Sequence, residues 1–220
     1  MCFSADADLI GGTVITVIGI DAVRHTSGRR ELLGLGALPL LFGAHQLVET
    51  FVWWGLEGRV AAEIGEIATW IYLFFAFVVL PTYLPVVVYV VEPAGWRRRV
   101  IGAFVALGGA VSISLLAAML RGPVTAELEP YYLSYGTGLR AGILVVSAYV
   151  LATCGALLVS GIRSLMLFGI VNLVAVAVVA VLVIDGFASI WCAWAAIVSA
   201  LFVLYLRSTE PEVALTIATT

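Results

Sequence analysis

Long apolar runs alternate with short polar gaps along the whole chain. Seven runs, over residues 9–23, 32–54, 67–91, 100–120, 139–159, 165–184 and 187–206, hold almost no charge, and the arginines and most acids fall between them. Runs of this length and polarity predict membrane-spanning helices, because only a helix satisfies its own backbone polar groups in lipid. The expected fold is therefore all-α, a polytopic seven-transmembrane helix bundle over residues 1–207, followed by a polar tail over 208–220. No gap is long enough to fold by itself, so one domain is expected. The third run carries Pro81 and Pro85, each lacking a backbone donor, which predicts a kink in its last turns. In the fourth, Gly102, Gly108 and Gly109 with Ser112 and Ser114 suit close helix packing.

Orientation follows from the arginines. Arg24, Arg29, Arg30, Arg97, Arg98, Arg99, Arg163 and Arg207 lie on one side of the alternation. Only Arg59, Arg121 and Arg140 lie on the other, among Glu57, Glu63, Glu66, Glu127 and Glu129. The positive-inside rule then places the amino terminus outside and the carboxyl terminus in the cytoplasm. The opening residues have no basic stretch or cleavage site of a signal peptide, so the first run is expected to be a retained helix.

Composition agrees with lipid as the solvent. Hydrophobic residues are 63% and charged residues 11% of the chain, with a mean hydropathy of +1.13, against about 25% charged in soluble domains. The net charge of −3 and the lack of a basic tract argue against nucleic acid as a partner. All 11 basic residues are arginine. With no lysine, a retinal Schiff base and lysine-based covalent catalysis are both excluded.

Ionisable residues inside spans are costly and mark candidate sites. On the second run His45, Gln46, Glu49 and Trp53 fall within about a third of the helix circumference, making one polar stripe. Cys192 on the last run reaches about the depth of Glu49, Asp185 lies at the outer boundary, and Cys2, Ser4, Asp6 and Asp8 approach from the amino-terminal arm. Asp21, His25 and Cys154 belong nearer the cytoplasmic side, and Cys154 reads as a small buried residue. The gap before the fifth run holds Tyr131, Tyr132 and Tyr135, read as an interfacial aromatic belt ahead of a lid over the site.

Three readings of this cluster stay open. Cys2, His45, Glu49 and Cys192 form an N/O/S ligand set for zinc or copper, with Gln46 and Asp185 supporting it from behind. Alternatively Cys2 and Cys192 pair in a disulfide over the bundle, or the stripe only hydrogen-bonds between helices. The leading expectation is an outward-facing, membrane-embedded site for a metal ion or small ligand. An enzyme with Glu49 as catalytic base on a metal-bound water, hydrolytic or redox, is one alternative. A small proton-coupled transporter titrating at Glu49 is another, although no inverted repeat accompanies it.

The opening Met1-Cys2-Phe3-Ser4-Ala5, the stretch from Phe42 to Trp53, and Trp191-Cys192-Ala193-Trp194-Ala195-Ala196 together resemble an uncharacterised family of small bacterial integral membrane proteins that begin Met-Cys-Phe-Ser. The resemblance runs along nearly the whole chain. It implies a bacterial plasma-membrane location, and its aromatic, Gln, Glu, Trp pattern matches Phe42, Gln46, Glu49 and Trp53. No reaction comes with it.

Overall fold

The structure is a computed structural model describing residues 4–130, 132–137, 142–182 and 187–208, apart from the side chains of 180–182, 187–189, 191–193, 202 and 205–208. The expectations placed on Cys2, Asp185, Tyr131 and residues 209–220 lie outside the described residues, as does the side chain of Cys192.

Helix α1 spans Ala5–Thr26. It begins where Ser4 accepts a hydrogen bond from the Ala7 amide at 3.3 Å, and Asp6 and Asp8 occupy the favourable acidic first turn. Helix α2, Arg30–Leu56, returns alongside it and also touches helices α3, α4 and α8, described next, so it sits at the centre of the bundle. Helix α3 (Ala62–Leu73), a π-helical stretch (Phe74–Val79) and helix α4 (Leu80–Val91) form one continuous rod. Helix α5, Trp96–Arg121, leads into a hairpin of β1 (Thr125–Leu128) and β2 (Leu133–Gly136), antiparallel with Leu128 opposite Leu133. Helices α6 (Gly142–Val159), α7 (Arg163–Leu182) and α8 (Phe187–Ser208) complete the chain.

The fold is therefore all-α apart from one hairpin. Among the described residues, four helical rods are long and apolar enough to cross a membrane: Arg30–Leu56, Ala62–Val91, Trp96–Arg121 and Gly142–Val159. The core joins Leu38 and Phe42 of α2 to Leu80 and Val88 of α4, Ile101 of α5, Leu157 of α6 and Leu165 of α7.

Helices α1 and α2 meet through glycines spaced seven apart on each: Gly12 lies against Gly43, Gly19 against Leu40 and Gly36 against Thr26. A Cβ on Gly19 would lie 2.2 Å from the Leu40 nitrogen, and one on Gly43 would lie 2.5 Å from both the backbone nitrogen and Oγ1 of Thr16. Only a missing side chain permits that approach. Ala5, Asp8, Gly12, Ile15, Gly19 and Ala22 accordingly form the buried stripe of α1. Gly55 of α2 and Gly65 of α3 meet in the same way, bringing the next rod close.

The proline-bearing rod departs from α-geometry a turn earlier than the expected kink. Pro81 offers no N–H to the preceding turn, and the chain widens into the π-helix before it. Side chains of other helices then satisfy carbonyls in that turn: Tyr149 donates to Ala76 O at 2.9 Å and Ser112 to Val78 O at 2.7 Å. Gly108 lies against the Pro81 carbonyl, so Gly108 and Ser112 are packing residues as expected. Gly109 faces open space, and exposed Ser114 bonds only its own helix at Ala110 O. Cys154 is a free, buried thiol in α6, also as expected.

If the glycine contact sets the α1–α2 spacing, Gly19→Ala should lower stability by about 1–3 kcal/mol, the cost of overpacking. Gly109→Ala, which meets nothing within 4 Å, should be neutral or stabilising by up to about 1 kcal/mol. Thermal unfolding in detergent tests the contrast, and the reverse order would refute it.

Candidate functional site

The polar stripe of α2 faces inward. His45, Gln46, Glu49 and Trp53 are all buried, Gln46 and Glu49 completely. By helical rise, Glu49 lies about 10 Å and Trp53 about 5 Å below the end of α2 at Leu56. Because α1 runs antiparallel and close, its own first turn reaches the same level. Asp8, fully buried, accepts a hydrogen bond from Trp53 Nε1 at 2.9 Å and interacts electrostatically with Glu49, one turn deeper on α2.

Glu49 is held from two directions. Gln46 Nε2 donates to its Oε2 at 3.3 Å, and Tyr135 Oη donates to its Oε1 at 3.1 Å. The Gln46 amide orientation is the one that gives the carboxylate a donor. Tyr135 comes from β2, so the hairpin covers the pocket, with Leu133 buried beside Trp53, Val52 and Ala5. Within the tyrosine-bearing gap, Tyr135 is the residue that reaches over the site, the position a lid would take, while Tyr131 lies outside the described residues.

An aromatic column backs the acids. His45 stacks on Tyr72 with centroids 3.9 Å apart and planes 13° apart, and Tyr72 stacks on Tyr135 at 4.7 Å and 17°. Phe75, at the start of the π-helical turn, packs on the other side of His45 at 4.6 Å. His45 and Glu49 share a helix face, yet the imidazole is seated among rings while the carboxylate meets amide and phenol.

Three buried polar atoms of this pocket have no hydrogen-bond partner among the described residues: Asp8 Oδ1, Gln46 Oε1 and His45 Nε2. Gln46 Oε1 can only accept, and Asp8 Oδ1 is likewise an acceptor whenever its carboxyl is ionised. Buried acceptors left empty are costly, and two neighbouring carboxylates add mutual repulsion. The pocket is thus suited to positive charge. No three His, Cys, Asp or Glu side chains gather as a ready-made metal cage among the described residues. Of the residues expected as ligands, His45 and Glu49 are buried on one face of α2 with different neighbours, while Cys2 and the Cys192 side chain lie outside the described residues.

Asp8 is the participant that the stripe on α2 does not reveal. Its signal is the three-and-four spacing of Ala5, Asp8, Gly12, Ile15, Gly19 and Ala22, which puts an acid on the small-residue face that must meet another helix. Tyr72 and Tyr135 carry no such local mark, since each is aligned by tertiary stacking.

The model of a family of unknown function, DUF6629, matches residues 1–216 of the chain. No curated protein and no solved structure matches it.

Trp53→Phe deprives Asp8 of its donor and should cost about 1–3 kcal/mol. Adding Asp8→Leu removes the stranded acceptor, so the double variant should be more stable than Trp53→Phe alone. Tyr135→Phe keeps the ring stack and should cost less, about 0.5–1.5 kcal/mol. Thermal unfolding ranks the three, and a double variant less stable than the single one would contradict the Asp8–Trp53 assignment.

Proposed function

We propose that this chain, which belongs to the DUF6629 family, is a seven-span membrane protein whose outer half binds a metal cation between α1 and α2. The observation that carries this reading is the buried pair Asp8 and Glu49 beside acceptor oxygens with no donor, Asp8 Oδ1 and Gln46 Oε1. A cation answers both the repulsion and the empty acceptors. Asp8 and Glu49 supply the charge and Gln46 Oε1 a neutral oxygen, while His45, seated among rings, joins only if it is recruited on binding. Carboxylate and carbonyl oxygens alone suit a hard ion, whereas recruitment of His45, Cys2 and Cys192 selects zinc or copper.

Elemental analysis of protein purified without chelator should find about one equivalent of metal. Asp8→Asn and Glu49→Gln should each reduce it at least tenfold while keeping the fold, since volume and hydrogen-bonding capacity are similar. Cys154→Ser, which alters a packing residue behind Tyr72 and none of the proposed ligands, should leave it intact. Cys2→Ser separates the two ligand sets: loss of metal identifies thiolate ligation, and retention leaves an oxygen site. Wild type without metal, or acid variants that keep it, would overturn the reading.

The orientation proposed with this site puts the hairpin outside. Asp8, Glu57 and the hairpin share one end of the α1–α2 pair, while Arg24, Arg29 and Arg30 sit at the other. A fluorescent reporter fused to the carboxyl terminus should therefore light up in the cytoplasm. Signal from a periplasm-only reporter at that position would invert the topology.

A further inference from the structure

We propose that Arg97, Arg98 and Arg99, with Trp96, form a binding site for the phosphate headgroup of an anionic phospholipid at the end of the bundle opposite the acidic pocket. The four residues open α5. Trp96 is 64% exposed, the position an interfacial indole takes at headgroup level.

Two of the guanidinium groups are oriented by rings rather than by acids. Arg98 lies 4.6 Å over the ring of Tyr89 near the end of α4, and Arg97 lies 5.4 Å over Trp96. Arg98 Nε is shut away from solvent and has no acceptor among the described residues. Arg97 also rests against Gly161, in the turn before α7 and Arg163. Stacking holds a guanidinium plane while leaving its donor edge free, and that edge matches phosphate oxygens.

One carboxylate, that of Glu92, lies near the three arginines, too little to cancel their charge. Among the described residues none of the three arginines forms an ion pair, whereas Arg59 at the other end pairs with both Asp6 and Glu57. Glu92, the acid beside Arg97, is buried and accepts from Ser160 Oγ at 2.6 Å and the Gly161 amide at 2.8 Å. The cluster therefore keeps its positive charge at an interface.

A lipid phosphate fits better than a soluble anion because an apolar wall continues from the arginines. The face of α5 that carries Trp96 and Arg99 continues through exposed Ala103, Ala106, Ala110 and Ile113, offering acyl chains an apolar surface below the headgroup. The proposal rests on the membrane reading but not on the cation site.

The test compares the full chain in phosphatidylcholine bilayers with and without phosphatidylglycerol. Wild type should gain about 2–4 °C in thermal midpoint with the anionic lipid. The triple variant Arg97→Lys, Arg98→Lys, Arg99→Lys keeps the charge but loses the planar fork, and should lose most of that gain while matching wild type in phosphatidylcholine alone. Arg98→Gln alone should lose part of it. Inorganic phosphate added to phosphatidylcholine bilayers should produce no gain. An equal gain in the lysine variant would reduce the effect to unspecific charge, and an equal gain from inorganic phosphate would make this a soluble-anion site. No gain in wild type overturns the proposal, and failure of the chain to enter bilayers overturns the membrane reading beneath it.

Discussion

The distance between α1 and α2 governs the rest of this protein. With glycine at positions 19 and 43, two helix backbones approach until a side chain at either place would collide with the other helix, and Gly12 beside them leaves room for little more. Dispersion contacts at that range are dense and involve little side-chain entropy. The same approach leaves no room for a polar residue at the seam to turn away. Asp8 must therefore meet α2, and Trp53 is the donor at its level. A wider spacing would let water in beside the carboxylate and abolish the need for a partner.

Above that seam the architecture consists of covering an acid pair without neutralising it. Rings supply most of the cover: the column from Phe75 through His45 and Tyr72 to Tyr135 crosses from the proline-bearing rod to the hairpin. Aromatic faces pack tightly and carry little hydrogen-bonding capacity in the plane of stacking. Glu49 is left to interact through its edges, with Gln46 from its own helix and Tyr135 from the hairpin. The two buried carboxylates and the hairpin that covers them thus occupy the same place.

Much of this was legible in the sequence, for reasons that differ by element. The helices follow from uninterrupted hydrophobicity, and several run past the apolar stretches: Ser4 caps α1 ahead of them, α2 runs on to Leu56, and α3 and α5 begin earlier, at Ala62 and Trp96. The stripe on α2 follows from angular spacing alone. The hairpin does not, because Thr125–Leu128 and Leu133–Gly136 are short and mixed in polarity, and their pairing is decided by what Leu133 and Tyr135 cover. The seven-residue glycine spacing on both helices was visible in the sequence, but its meaning needs the partner helix. Asp8 became interpretable only with that partner, since an acid in a first turn is ordinarily a solvated helix-end residue.

The π-helical stretch has a consequence for rotational phase. One extra residue per turn rotates everything before it by about 100° relative to a continuous α-helix. Thr69 and Tyr72 are thereby set on a different azimuth from the one α4 would impose on them. Removing a single residue between 74 and 79 would barely alter length or hydropathy and would keep both flanking helices, yet swing Tyr72 off the imidazole of His45. The aromatic column is in this sense encoded by a count rather than by a side chain, and a one-residue deletion in lipid-compatible sequence would be far less innocent than its composition implies.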